Sequence, residues 1–387
     1  MISVSRLLCD AVGPGDSLRY RDNSFNGSEE PPRPVVVWNC TRQCNLACIH
    51  CYASAGNQAS PQEMDTEAGK AFFRDLAEFK VPAVLISGGE PLMRHDFFEM
   101  ADYARRQGLR IALSTNGTLI TKKAAEKIGN TGFAEVGISL DGTGANNDRF
   151  RGRDGAYQAA LDGIRNCIAL GIRISLRLTI TRFNYQEIPA ILQLTEDEGI
   201  DRVCFYHLAY SGRGGRLQKE DIDHSQTRSV IDLICDRTVD MHRRGLGKEI
   251  LTVGNHADGV YIYIRARRQD PCRAKKIMDL LKMNGGNNSG IRIGAVDDRG
   301  DVHPDQFWMH YTLGNVTQRK FGEIWTDTSE PLLKLLRNRK KLLKGRCSRC
   351  RYLDVCNGNL RVRAEAVSGD VWSEDPSCYL SDEEIGI

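Results

Sequence analysis

Long hydrophobic runs are missing from this 387-residue chain. No stretch approaches the ~18 uncharged apolar residues that span a bilayer. The opening MISVSRLLCDAV also lacks a signal-peptide core, because Arg6 and Asp10 interrupt it close to the apolar pair Leu7 and Leu8. Nor is there an excess of one charge: 53 Lys and Arg stand against 50 Asp and Glu, a formal +3. That excludes the broad basic surface of a dedicated nucleic-acid binder. These absences set the expectation of a soluble, cytoplasmic protein with no membrane and no nucleic-acid partner.

Cysteine, by contrast, is plentiful. There are 13, an odd number, clustered at two places in a chain too long to need disulfides in place of a core. Metal ligation in a reducing compartment is the expected use. The length suggests two or three domains. Residues 1–34 read as an irregular N-terminal extension, rich in Gly, Pro, Ser and Asn and ending in EEPPRP. From Val35 short β-branched runs alternate with amphipathic helical stretches. Strands are expected at VVVWN from Val35, AVLIS from Ala83, RIALS from Arg110, EVGIS from Glu135, RISLRLTI from Arg173 and RVCFYHL from Arg202. Helices are expected over residues 66–79, 95–107, 122–128, 157–170 and 188–198. Six strand-then-helix units predict an α/β fold, a partial (β/α)6 TIM-like barrel over 35–222, with active groups at the strands' C-terminal ends. A linking helix and β-hairpin region over 223–330 and an auxiliary metal domain over 331–387 follow.

The first strand runs into CTRQCNLACIHCY, where Cys44, Cys48 and Cys51 have the spacing CxxxCxxC beside His50 and Tyr52. Three thiolates can hold three irons of a cubane and leave the fourth open to a substrate or cosubstrate. Cys40 and His50 could instead complete a closed zinc site, so the motif alone leaves both metals open. The later strands end in SGGEP, STNGT, SLDG, TITRFN and HLAYSGRGGR. Single segments of this kind are ordinary turns, but six in phase point to one mouth.

CxxxCxxC followed by an aromatic residue, with GGEP at Gly88–Pro91 about forty residues later, resembles the radical S-adenosylmethionine (SAM) superfamily. The resemblance implies a 4Fe-4S cluster on Cys44, Cys48 and Cys51, with SAM chelating the open iron and yielding a 5′-deoxyadenosyl radical. It also implies that Gly88, Gly89 and Glu90 meet the methionine moiety. Ser114, Asn116, Ser139 and Asp141 would meet the ribose, and Tyr52 the adenine. Cys40 has no ligand role there and reads as a buried strand-end thiol.

Farther on, a long helix is expected from about His224 to Arg244, and NGGNNSGIRIG with DDRGDVHPDQFW as a β-hairpin turning at Asp298–Asp301. Cys347, Cys350 and Cys356, spaced CxxCxxxxxC, then Cys378, form a complete ligand set for a second 4Fe-4S cluster or for zinc. The arrangement resembles the SPASM extension of radical SAM enzymes, in a form with one auxiliary cluster. The two-cluster form has cysteines where this chain has Asp305 and the NGNLRVRA segment. Asp305 is a minor candidate for approaching a metal.

Taken together, PVVVWNCTRQCNLACIHCYA, KVPAVLISGGEPL, VGISLDGTG, FRG, HLAYSGRGGR, VHPDQFW and CNGNLRVRAEAVSGDVWSEDPSCYL resemble the iron-tetrapyrrole-modifying group of that superfamily. This group includes 12,18-didecarboxysiroheme deacetylases of alternative haem synthesis and the haem d1 enzymes that replace propionates with oxo groups. The N-terminal stretch leans to the deacetylases. Implied is removal of acetate side chains from an iron-tetrapyrrole substrate to give Fe-coproporphyrin III, with electrons from an unidentified donor. Candidate carboxylate-binding residues are Arg213, Arg216, Arg361 and Arg363; His207 and His256 are candidates for the substrate's iron. Alternatives are haem d1 synthesis, a peptide-modifying SPASM enzyme, and a non-enzymatic Cys-rich zinc protein. Near-neutral charge and GGEP oppose the last, and an N-terminal stretch too short for a peptide-recognition domain opposes the peptide-modifying reading. Cys9, Cys40, Cys167, Cys204, Cys235 and Cys272 are left as packing thiols.

Overall fold

The computed structural model describes residues 1–20 and 31–387. Eleven strands make one sheet: β1 (Ile2–Ser3), β2 (Val35–Asn39), β3 (Val84–Ser87), β4 (Ile111–Thr115), β5 (Val136–Ser139), β6 (Ile174–Ile180), β7 (Arg202–His207), β8 (Glu249–Val253), β9 (Ile293–Val296), β10 (Asp301–His303) and β11 (Gly314–Asn315). They are ordered β1-β8-β7-β6-β5-β4-β3-β2-β9-β10-β11. The six expected strands are β2 to β7, consecutive neighbours in parallel register. The order never closes on itself, so the barrel is partial.

The expected helices also form, over Thr66–Glu78, Phe97–Arg106, Lys122–Thr131, Ala156–Ile168 and Ile188–Asp197. The first shows why. Asp65 caps its N-terminus by accepting from the Ala68 amide, and Phe72, Phe73 and Leu76 fall on one face. That face meets Trp38 of β2, whose ring lies edge-on to both phenylalanines. β4 alternates between buried Ile111, Leu113 and Thr115 and half-buried Ala112 and Ser114. Ile111 and Leu113 join the main core, while Ala112 and Ser114 line cavities inside the barrel.

Two regions differ from the sequence reading. Residues 1–34 are not an irregular extension throughout: β1 pairs antiparallel with β8, and a helix spans Val4–Cys9. Ile2, Val4 and Leu7 belong to the main core, and Arg19 is ion-paired to Glu249 of β8 at 2.6 Å. A six-residue helix carrying two core side chains, Val4 and Leu7, is too short to show periodicity beside the polar segment that follows it. The part of that extension over 21–30 lies outside the described residues. The other difference is on the two flanks of the six expected strands. β8 adds a parallel strand beside β7, and β9 pairs in parallel with β2 before turning into the expected hairpin with β10.

The expected helix forms over His224–Arg243, but the adjoining pair at Ala257–Gln269 and Pro271–Asn284 had not been anticipated. Cys40, Cys167, Cys204 and Cys235 are buried thiols, as expected; Cys272 is exposed and Cys9 half-buried, so neither is a core thiol. Among the described residues no helix is long and apolar enough to cross a membrane.

Candidate active site

At the C-terminal end of β2 the chain leaves the sheet in a long loop that brings Cys44, Cys48 and Cys51 together with Leu46, Ala55 and Ala156. All three thiols line a cavity of about 1160 Å³ of open space at the barrel mouth. The loop is clamped from outside. Ala47 and Ile49 donate amides to the Arg151 and Phe150 carbonyls at 3.1 and 3.0 Å. Arg213 donates Nε to the Cys48 carbonyl and Nη1 to the Ala55 carbonyl, both at 2.7 Å. Gly212, in the left-handed region, is needed there because a Cβ would collide with the Cys51 and Tyr52 carbonyls.

The sulfurs are provided with donors. The Leu46 amide reaches Cys44 Sγ at 3.4 Å, Asn116 Nδ2 the same sulfur at 3.8 Å, and Arg151 Nη1 reaches Cys48 Sγ at 3.6 Å. Without a metal, burial pushes the Cys44 thiol up to about 11 and raises Cys48. Thiolates here therefore need a cationic partner. Cys40 is fully buried, outside the cavity, with its own pKa raised by burial. Among the described residues no three His, Cys, Asp or Glu side chains converge as ligands of one ion would. Thiols spread around a cavity suit a cubane, whose irons each take a different sulfur.

The GGEP turn presses on this loop. The Gly89 amide donates to the Thr41 carbonyl at 2.6 Å and the Glu90 amide to the Gln43 carbonyl at 2.8 Å. A Cβ on Gly88 or Gly89 would collide with those same carbonyls. Both glycines line the cavity, as do Tyr52, Ser114, Asn116 and Ser139. Tyr52 is anchored by its hydroxyl to Asn39 at 2.9 Å and Ser87 at 3.2 Å.

Two expected SAM contacts face elsewhere. Glu90 is fully buried and accepts from Thr115 Oγ1, the Asn116 amide and the Leu92 amide at 2.8, 2.7 and 3.1 Å. Its carboxylate thus joins β3 to β4 instead of opening on the cavity. Asp141 is also fully buried, ion-paired to Arg151 Nη2 at 2.6 Å and 3.2 Å from His50 Nε2, and it accepts from the Thr179 amide. It positions Arg151. The sequence reading missed Arg151 as a site residue, because its helix, Gly144–Arg151, is too polar to show periodicity. The FRG triplet was the available signal.

The second set is equally compact. Cys347, Cys350, Cys356 and Cys378 line one small cavity of about 480 Å³ with Tyr352, Asp375 and Leu380. The Tyr352 amide donates to Cys350 Sγ at 3.4 Å. Burial pushes Cys378 up to about 12 and Cys356 further up, so this four-thiol set also fits a metal cluster. Asp305 is not among its lining residues: its carboxylate is held by Ser289 Oγ and the Phe307 amide.

The expected carboxylate-binding arginines divide. Arg361 and Arg363 are fully buried and committed to the fold. Arg361 donates to the carbonyls of Val371, Ser373 and Gly358. Arg363 forms a two-bond pair with Asp375 at 2.7 and 2.8 Å and also holds the Leu208 and Gly254 carbonyls. Arg216 is exposed and lines none of these cavities. Arg213 lines the mouth, but its Nε and Nη1 clamp the cysteine loop. His207 lines the mouth with Nε2 on Asp258 at 2.9 Å. Asp258 in turn accepts from Tyr379. His256 lines a deeper chamber, and its Nδ1 has no partner. Burial holds it well below the usual histidine range, hence neutral.

A family model described as the radical SAM superfamily matches residues 38–195, and one described as an iron-sulfur cluster-binding domain, SPASM, matches 292–351. A Fe-coproporphyrin III synthase from Methanosarcina barkeri is 52% identical over the whole of this chain and 99% of its own length. The chain belongs to the radical SAM superfamily. A pre-heme d1 synthase from Dinoroseobacter shibae is 45% identical over 92% of this chain and 88% of its own length. Among solved structures, Streptococcus suis SuiB bound to S-adenosylmethionine shares the fold with a TM-score of 0.70 at 18% identity, covering 90% of this chain and 78% of that one. As a radical SAM enzyme the protein uses SAM and a 4Fe-4S cluster, and its SPASM domain binds auxiliary iron-sulfur.

Proposed function

We propose that this radical SAM enzyme removes two acetate side chains from 12,18-didecarboxysiroheme, giving Fe-coproporphyrin III. The observation that carries the reading is identity of 52% to a Fe-coproporphyrin III synthase over the whole of this chain, barrel and auxiliary cysteines included. The reduced cluster with SAM would supply a 5′-deoxyadenosyl radical able to take hydrogen beside a carboxylate.

The chain's own residues prepare the site for that chemistry. Cys44, Cys48 and Cys51 hold the first cluster, and Cys347, Cys350, Cys356 and Cys378 hold one auxiliary cluster. Gly88, Gly89, Ser114, Asn116 and Ser139 line the SAM cavity, with Tyr52 fixed beside it. Arg151, itself held by Asp141, places a cation on the Cys48 sulfur. Arg213 keeps the loop seated. Of the two histidines considered for the substrate's iron, His256 is favoured: its Nδ1 is unpartnered in the deeper chamber, whereas His207 is held by Asp258. A redox partner delivers the electrons.

The 45% identity to a pre-heme d1 synthase supports a second reading, propionate replacement on the same macrocycle. Product mass after incubation of the reduced enzyme with didecarboxysiroheme and SAM tests both. Loss of two acetates is expected; gain of oxo groups would replace this reading with the second.

A further inference from the structure

Inside the barrel, Arg177 projects from the middle of β6. It is one of six residues, with Val37, Leu85, Tyr206, Gln306 and Phe307, that line both the mouth cavity and a deeper chamber of about 1620 Å³. Arg177 therefore stands where the two spaces join. Its guanidinium lies flat over Gly137 of β5, where any Cβ would overlap Cζ and Nε.

The ion pairing of this residue is unlike that of its neighbours. Arg202 is paired with Glu135 and Glu249, and Arg173 with Glu249 at 2.9 Å. Arg177 donates Nη1 to the neutral Ser114 Oγ at 2.6 Å, and its Nε has no partner. Among the described residues it has no carboxylate in ion-pair contact; nearby Glu135 is occupied by Arg202 and, at 3.9 Å, Arg173. Arg177 is half-buried, with its Nε shut off from solvent; a guanidinium cannot shed its proton to escape partial desolvation, and a cation so placed without an anion is unfavourable. Such a residue is accounted for when the anion arrives with the ligand.

We propose that Arg177 binds a carboxylate side chain of the tetrapyrrole substrate at the junction of the two chambers, fixing which edge of the macrocycle faces the radical. The proposal rests on the tetrapyrrole reading above. The chambers suit such a molecule: Val37, Leu85 and Phe307 offer apolar walls to the ring, and the planar guanidinium matches a rim carboxylate. Arg177 is a specificity residue here, since a macrocycle carrying several carboxylates needs one fixed point to define its rotation.

The test is equilibrium binding of didecarboxysiroheme to the anaerobic holoenzyme, followed by absorbance, with SAM affinity measured alongside. Arg177→Gln is expected to weaken substrate binding by about 10- to 100-fold, the equivalent of a lost charge-assisted hydrogen bond. SAM affinity should move by less than about threefold on the same scale. Arg177→Lys should recover part of the loss. Gly137→Ala, whose new methyl meets the movable end of the arginine first, should weaken binding while leaving the guanidinium in the protein. A substrate with esterified carboxylates should bind the wild type as weakly as the acid binds Arg177→Gln, with no further loss in the variant. Equal substrate affinity in wild type and Arg177→Gln, additive losses with the ester, or a loss of SAM affinity alone would each overturn the proposal. Failure of the wild type itself to bind didecarboxysiroheme overturns the substrate reading, and this proposal with it.

Discussion

Arg151 Nη1 stands 3.6 Å from Cys48 Sγ while its Nη2 is paired with the buried carboxylate of Asp141 at 2.6 Å. A cation on a ligating sulfur favours the more negative, reduced cluster. Arg151→Gln should therefore lower the reduction potential of the SAM-binding cluster. Taking the ~1.5–3 kcal/mol of a hydrogen bond to a charged group and ~59 mV per 1.4 kcal/mol for one electron, the shift is about 60–130 mV. Redox titration followed by electron paramagnetic resonance reads it, and an unchanged potential would show the arginine to be merely structural.

The two cysteine sets should be separable by iron count. Anaerobically isolated protein is expected to hold about eight irons with matching sulfide. Cys48→Ala and Cys356→Ala should each hold about four, but only Cys48→Ala should abolish 5′-deoxyadenosine release with dithionite and SAM. A wild-type value near four would remove one cluster from the scheme.

Arg363 and Asp375 form a fully buried pair. Arg363→Met leaves the acid unpaired and should cost about 3–5 kcal/mol, seen as a large drop in Tm. Pairing that change with Asp375→Leu should restore part of the loss, because removing both charges is gentler than removing one. If Arg363→Met instead kept its Tm and lost substrate affinity, the arginine would be a ligand-binding residue after all.

Asp298, in the turn between β9 and β10, is pushed up to about 6 by burial and then by neighbouring Asp297. An acid whose pKa is higher folded than unfolded makes the folded state bind more protons between those values, so stability falls as pH rises from about 4 to about 6. Asp298→Asn removes that loss. It should raise Tm by about 2–4 °C at pH 7.5 and by about half as much at pH 5, by thermal unfolding under argon.

How far the sequence carried these assignments differs residue by residue. β2 was readable to its last residue because VVVWN is an unbroken apolar strand bounded by polar chain. The cysteine sets were readable because ligand spacing is local. What spacing does not convey is direction. Glu90 and Asp141 lie beside the mouth as their segments implied, yet both carboxylates turn into the protein, toward partners 25 residues away for Thr115 and, in the case of Arg151, on a helix with no apolar rhythm. Arg177 was invisible for the opposite reason. In ISLRLTI a lone arginine between apolar residues reads as a solvent-facing position, and only an open-centred barrel turns that position toward a chamber in its interior. The N-terminal strand pairs with residues about 250 positions away, which no local pattern reports.

β2, the strand that launches the cysteine loop, has β3 on one side and β9 on the other, with Val35 to Trp38 in register with Ile293 to Val296. The SPASM segment is thereby stitched to the barrel along its backbone, and the two cluster sites cannot swing apart as hinged lobes would. A chain ended before residue 292 would bare that strand's hydrogen-bonding edge, flanked by Trp38, as a template for other chains. The isolated barrel is accordingly expected to aggregate.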